Sequence, residues 1–147
     1  MSSELTLNQF SVKGQNVLIT GASRGIGSYL AKSFDILGAN VLGVSKKNII
    51  DKSKYNFTII NINIDNITNI RKEIKKKFNN EPLNTLINVA GITKEGYSNK
   101  SITNNINTNL IDTINLSVMC KKLMKEGGSI INFGSLASFR GFPNNPG

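Results

Sequence analysis

The stretch TGASRGIG, Thr20 to Gly27, closes the short apolar run NVLIT (Asn16 to Thr20) and opens a segment in which Ile26, Leu30, Phe34 and Leu37 recur at helical spacing. A strand that passes through a glycine turn into a helix is the context that separates a phosphate-binding loop from an ordinary turn. Gly21, Gly25 and Gly27 allow the backbone to approach a pyrophosphate, and the start of the helix offers unpaired N–H groups and positive partial charge. We read a dinucleotide site here, with a tight turn that binds nothing as the alternative.

Outward from this turn the pattern repeats. Gly38 stops the first helix, and NVLGV (Asn40 to Val44) reads as a second strand. FTIININID (Phe57 to Asp65) reads as a third. Ile67, Ile70, Ile74 and Phe78 then mark one face of a helix whose remaining surface carries Arg71, Lys72, Lys75, Lys76 and Lys77, a solvated basic face. Pro82 breaks the chain before a fourth strand, TLINVAG (Thr85 to Gly91). Ile102, Ile106, Leu110, Ile114 and Val118 recur every fourth position, a repeat that drifts around a helix axis and so predicts a deeply packed helix. Gly127-Gly128 is expected to end it, and SIINFG (Ser129 to Gly134) to form the fifth strand. Strands alternating with helices imply an α/β fold, a Rossmann-type doubly wound parallel sheet in one dinucleotide-binding domain over residues 1–147, with 1–12 as a lead-in. Ligands of such sheets bind beyond the carboxyl ends of the strands, where GASRGIG, NVAG and FGS all lie.

Composition removes several alternatives. The chain has no histidine and one cysteine, Cys120, so a His/Cys metal site, a Cys–His pair and a Ser–His–Asp triad are excluded. A lone cysteine, no apolar leader and no long apolar span predict a cytoplasmic protein with no membrane segment. The net charge is +9, from 18 Lys and Arg against 9 Asp and Glu. Only Arg24, Arg71 and Arg140 are arginines, and base reading favours arginine, so nucleic acid is not expected as a partner. The charge suits an anionic cofactor. Where an NAD site wants an acidic residue at the end of the second strand, this chain has Ser45, Lys46 and Lys47, with Arg24 in the turn. We therefore expect NADP over NAD, the alternative being lysines exposed by chance.

Together these residues resemble the classical short-chain dehydrogenase/reductase family. Thr20-Gly21-x-x-x-Gly25-Ile26-Gly27 is similar to its glycine motif, in which Ser23 and Arg24 also become candidate cofactor contacts. Asp65 resembles its adenine-contacting aspartate. Asn88-Val89-Ala90-Gly91 resembles its Asn-Asn-Ala-Gly motif with the second Asn replaced, making Asn88, Ala90 and Gly91 further candidates. Asn109 in TNL and Ser135 in NFGSLAS resemble its catalytic asparagine and serine. The resemblance implies hydride transfer between a nicotinamide and a carbonyl or alcohol substrate, with a homo-oligomer for the complete protein. It gives Ser135 the task of hydrogen-bonding the reacting oxygen and Asn109 that of holding a water in a proton relay. It also implies a tyrosine acid and a lysine beyond the serine, at or past Gly147. Tyr29, Tyr55 and Tyr97 lie elsewhere in the pattern. The expectation is thus the N-terminal, cofactor-binding part of a reductase, inactive alone, whose fifth strand forms an exposed apolar edge; the alternative is a module that holds a dinucleotide or a partner and performs no reaction. GITKEGYSNKS resembles the 3-oxoacyl-carrier-protein reductases, whereas NQFSVKG and GFPNNPG look like sugar- or polyol-type members, and the substrate stays open.

Overall fold

Strand β1 (Asn16–Thr20) is buried along its whole length, and its side chains divide between two apolar layers. Val17 and Ile19 pack with Ala22, Ala31, Val41 and Ile59 on one face of the sheet, whereas Leu18 packs with Leu42, Ile70, Ile74, Leu86 and Leu116 on the other. A strand with no polar side needs cover on both faces, and parallel crossovers supply it. The computed structural model describes residues 10–46 and 56–140, and there the order is β1, α1 (Gly25–Ile36), β2 (Asn40–Ser45), β3 (Thr58–Asn61), α2 (Ile67–Lys77) and β4 (Leu83–Asn88). Then follow α3 (Asn99–Ile106), a π turn (Asn107–Ile111), α4 (Asp112–Lys121), β5 (Met124–Asn132) and a 3₁₀ turn (Leu136–Ser138).

The five strands form one parallel sheet in the order β3-β2-β1-β4-β5. Helix α1 supplies Ala31 to one layer, and α2 and α4 supply Ile70, Ile74, Leu116, Met119 and Cys120 to the other, so the sheet is doubly wound. Strand order reverses at β1. The expected fold class is the observed one: a Rossmann-type α/β sheet of five parallel strands.

Three features in particular differ from the sequence expectation. β3 ends at Asn61 because its partner β2 ends at Ser45, and Ser45 pairs with Asn61. α4 stops at Lys121, well before Gly127-Gly128; those glycines lie inside β5, in an irregularity between the pairs Leu83–Met124 and Thr85–Ser129. The third concerns the apolar stripe. Ile106, Leu110, Ile114 and Val118 are each about half exposed, not deeply packed, while Asn105, Thr108, Leu116, Met119 and Cys120 face inward. An ideal helix would carry a four-residue repeat around its axis, but the wider π turn absorbs part of that drift and keeps the stripe along one outer face. Ile130, Ile131 and Phe133 of the last strand and its exit are also partly exposed.

An exposed apolar stripe along one helix, such as Ile106, Leu110, Ile114 and Val118 form, promotes association. The 147-residue chain is expected to self-associate in light scattering, and the double substitution Leu110→Lys with Ile114→Lys to shift it toward monomer; a monodisperse parent would contradict this.

Candidate functional site

At the point where strand order reverses, the loops after β1 and β4 part and leave a crevice at the carboxyl edge of the sheet. A cleft of about 550 Å³ fills it. One wall is the turn from Gly21 to Ile26; the far end is Val44, Ser45 and Lys46 at the end of β2, with Ile62, Asn63 and Ile64 after β3. The opposite wall is Val89, Ala90, Gly91 and Ile92 after β4, with Thr108 from the π turn.

The glycines of the turn have separable causes. Gly21 takes φ +67 and lies so near the β4 loop that a Cβ would sit 3.0 Å from the Ala90 nitrogen. Gly27 packs so tightly that a Cβ would collide with the Gly21 carbonyl, 2.7 Å from its carbon. Gly25, at φ +53, faces open space with nothing within 4 Å of a Cβ position, so its requirement is conformational and leaves backbone bare toward the cleft. Helix α1 begins at that residue, and its N-cap Arg24 makes no side-chain cap hydrogen bond, whereas Asn66 caps α2 and Ser98 caps α3. Its first N–H groups and the positive end of its dipole are thus available to an anion.

Some of the residues singled out in the sequence stand behind this wall. Thr20 is buried, and its Oγ1 accepts from both Val89 N and Ala90 N at 3.0 Å, tying the end of β1 to the loop after β4. Asn88 turns toward α4 and β5, donating to Ser117 Oγ at 3.0 Å and Asn132 Oδ1 at 2.8 Å. Val89, which stands where the resembled motif has its second Asn, lends the cleft an apolar side chain. At the β2 end, Ser45 Oγ donates to Ser23 Oγ at 2.6 Å, and Lys46 is exposed on the rim. Lys47 and Tyr55 lie outside the described residues.

Asp65 accepts from Asn63 Nδ2 at 2.6 Å beside the wall. Asp112, at the start of α4, has its carboxyl pushed above the usual range, first by burial and then by the charge of Asp65, against the opposing pull of Lys46. The fold therefore favours neutral Asp112, and this group's contribution to stability is present at low pH and is lost as pH rises through its folded pKa. Cys120 is different: burial pushes its thiol up to about 12, which leaves it protonated and inert. Among the described residues no cluster of His, Cys, Asp and Glu could hold a metal, and no helix is long and apolar enough to cross a membrane.

Asn109 lies in the π turn and is exposed, its Oδ1 accepting from Ile92 N and its Nδ2 donating to Ile92 O, both at 2.8 Å. Ser135 follows β5 and caps the 3₁₀ turn, accepting from Ala137 N at 3.2 Å. Neither lines the cleft. The sequence reading did not single out Asn63, Ile92, Thr108 or Asn105. Asn63 could have been found from its place after β3; Asn105 could not, because a search for apolar periodicity passes over a buried amide.

The model of the family described as short chain dehydrogenase matches residues 15–147, and the chain belongs to that family. It is 29% identical over 145 residues to the 2-dehydro-3-deoxy-D-gluconate 5-dehydrogenase of Bacillus subtilis (strain 168), covering 90% of this chain and 57% of the relative. It is 30% identical to the 3-oxoacyl-[acyl-carrier-protein] reductase FabG of Buchnera aphidicola, covering 89% of this chain and 59% of the relative. A short chain dehydrogenase from Leptospira borgpetersenii, solved with bound NAD+, superposes with a TM-score of 0.79 at 29% identity, over 90% of this chain and 56% of the other. The chain thus spans somewhat over half the length of the proteins it matches.

Thr20→Val, which removes the acceptor of two part-buried N–H groups, is expected to destabilise the protein by roughly 1–3 kcal/mol in chemical denaturation, and Thr20→Ser to restore most of it. In Asp65→Asn the Asp112 carboxyl is expected to titrate at lower pH than in the parent, measured by carbon-detected NMR.

Proposed function

We propose that this chain forms the cofactor-binding part of an oxidoreductase that transfers a hydride between a nicotinamide dinucleotide and a carbonyl or alcohol, with NADP preferred to NAD. The observation that carries this reading is the uncapped N-terminus of α1 opening, through Gly21 and Gly25, onto a cleft large enough for a dinucleotide. The residues present fit the group. Backbone N–H groups from Gly25 onward would hold the diphosphate, and the apolar wall of Val89, Ala90 and Ile92 would exclude water beside it. Ser45 and Lys46, with Arg24 across the turn, would take a ribose 2′-phosphate. When bound, the nicotinamide supplies or accepts the hydride.

The roles of this chain's own side chains follow from their hydrogen-bonding capacity. Ser135 would donate its hydroxyl to the reacting oxygen, giving up the local bond to Ala137. Asn109 retains one donor hydrogen and one lone pair after its two bonds to Ile92, enough to hold one water. The proton that accompanies the hydride must come from a further acid. The substrate would be a small carbonyl or alcohol compound; the relatives include both a sugar-acid dehydrogenase and an acyl-carrier-protein reductase.

One observation favours a second reading, a protein that holds the dinucleotide without turning it over: among the described residues no tyrosine lines the cleft, and Tyr29 and Tyr97 are both largely exposed. Titration with NADPH and NADH, followed by nicotinamide fluorescence, tests the cofactor. NADPH is expected to bind more tightly, and Lys46→Asp to weaken it roughly 10–100-fold while sparing NADH. Tighter NADH binding that Lys46→Asp leaves unchanged would refute the NADP assignment.

A further inference from the structure

We propose that Asn105 is a positioning residue for the cleft, a second amide clamp that holds the loop after β4 in the shape that receives the dinucleotide. This rests on the reading of the cleft as a nicotinamide dinucleotide site. Asn105 is only 2% exposed, and both ends of its amide are matched to the backbone of a single residue. Its Oδ1 accepts from Lys94 N at 2.8 Å, and its Nδ2 donates to Lys94 O at 3.0 Å. Asn109, four residues on, repeats the same pair of bonds with Ile92.

The geometry explains why the two clamps work together. Four residues of an ideal α-helix rise about 6 Å, and the π turn that holds Asn109 departs from this only locally. Two residues of extended chain rise about 6.6 Å. Asn105 in α3 and Asn109 in the π turn, about one turn apart, thus meet alternate residues of the loop, Lys94 and Ile92, and each amide presents the same donor and acceptor as a peptide group. The helix acts as a surrogate strand for a segment that lies outside both sheet and helix.

That segment is held at three places. Thr20 anchors it at Val89 and Ala90, Asn109 at Ile92, and Asn105 at Lys94. Val89 through Ile92 are the cleft wall, so the Asn105 clamp closes the free end of the wall-bearing loop. Without it, the loop beyond Asn109 samples more conformations, and a ligand must order it on binding. A buried asparagine that merely satisfied a loop would affect stability and leave affinity alone.

The intact protein, Asn105→Leu, Asn105→Asp and the remote core variant Ile74→Val are to be compared for NADPH affinity by nicotinamide fluorescence and for amide hydrogen exchange. Asn105→Leu is expected to weaken NADPH roughly tenfold, and to speed exchange at Ile92 as well as at Lys94. Asn105→Asp, which keeps the acceptor and loses the donor, should fall between it and the parent, and it carries the test should Asn105→Leu fail to fold. Ile74→Val should lower the melting temperature and leave affinity within about twofold of the parent. The proposal is overturned if the parent binds NADPH and the Asn105 variants bind it equally well, or if exchange at Ile92 does not change. A parent that binds neither NADPH nor NADH fails differently: it sinks the proposed function, while exchange at Lys94 still reports whether the clamp exists.

Discussion

Helix α1 meets the end of β1 at a distance that admits no side chain. A Cβ on Gly27 would run into the Gly21 carbonyl, and one on Gly21 would press on the Ala90 backbone. This double closeness sets the first turn of α1 directly over the carboxyl edge of the sheet and brings the loop after β4 against it. The cleft is what remains between them, and along the glycine turn it meets backbone N–H groups that the side chain of the N-cap residue Arg24 leaves uncapped. Thr20 completes the arrangement from below: one hydroxyl takes two N–H groups of the opposite loop, which joins the end of β1 to the opposite wall.

Side-chain amides join several neighbouring elements. At the amino ends of the strands Asn16 accepts from Asn40 Nδ2 at 3.1 Å, while its backbone N donates to Asn84 Oδ1 at 2.9 Å, linking β2, β1 and the start of β4. At the carboxyl ends Asn88 joins β4 to α4 and β5. Asn105 and Asn109 perform the corresponding task between helix and loop. A buried amide costs less to desolvate than an ion and satisfies a donor and an acceptor together, which suits positions where two backbones must be held at a fixed spacing. The lysines of α2 stay on its outer face, where Arg71, Lys72, Lys75 and Lys76 are exposed.

The fold was legible because its deciding signal is local. NVLIT followed by three glycines and a helical stripe fixes a strand, a tight turn and a helix in a known spatial relation, and the later strands repeat the theme. Boundaries were less legible where they depend on a partner: β3 stops where β2 does, which nothing within FTIININID reveals. The stripe Ile106, Leu110, Ile114, Val118 was misplaced because its drift was computed for an ideal helix, and a π turn is not written in apolar spacing. In the site, Gly21, Gly25, Ser45 and Lys46 line the cleft, whereas Gly27 lies behind it against the Gly21 carbonyl. A motif names residues without saying which way they face, so it could not show Thr20 and Asn88 turned toward the protein, nor Asn105 buried against Lys94.

In the proposed function the amides at the start of α1, opposite the Val89–Ile92 wall, grip a diphosphate. A nitrogen-15 NMR titration of the protein with NADPH addresses this directly. The largest saturable shifts should fall on the amides of Gly21 to Gly27, with smaller ones at Ser45, Lys46 and Ala90 to Ile92. Saturable binding that leaves the amides of Gly25, Ile26 and Gly27 unmoved would contradict the account.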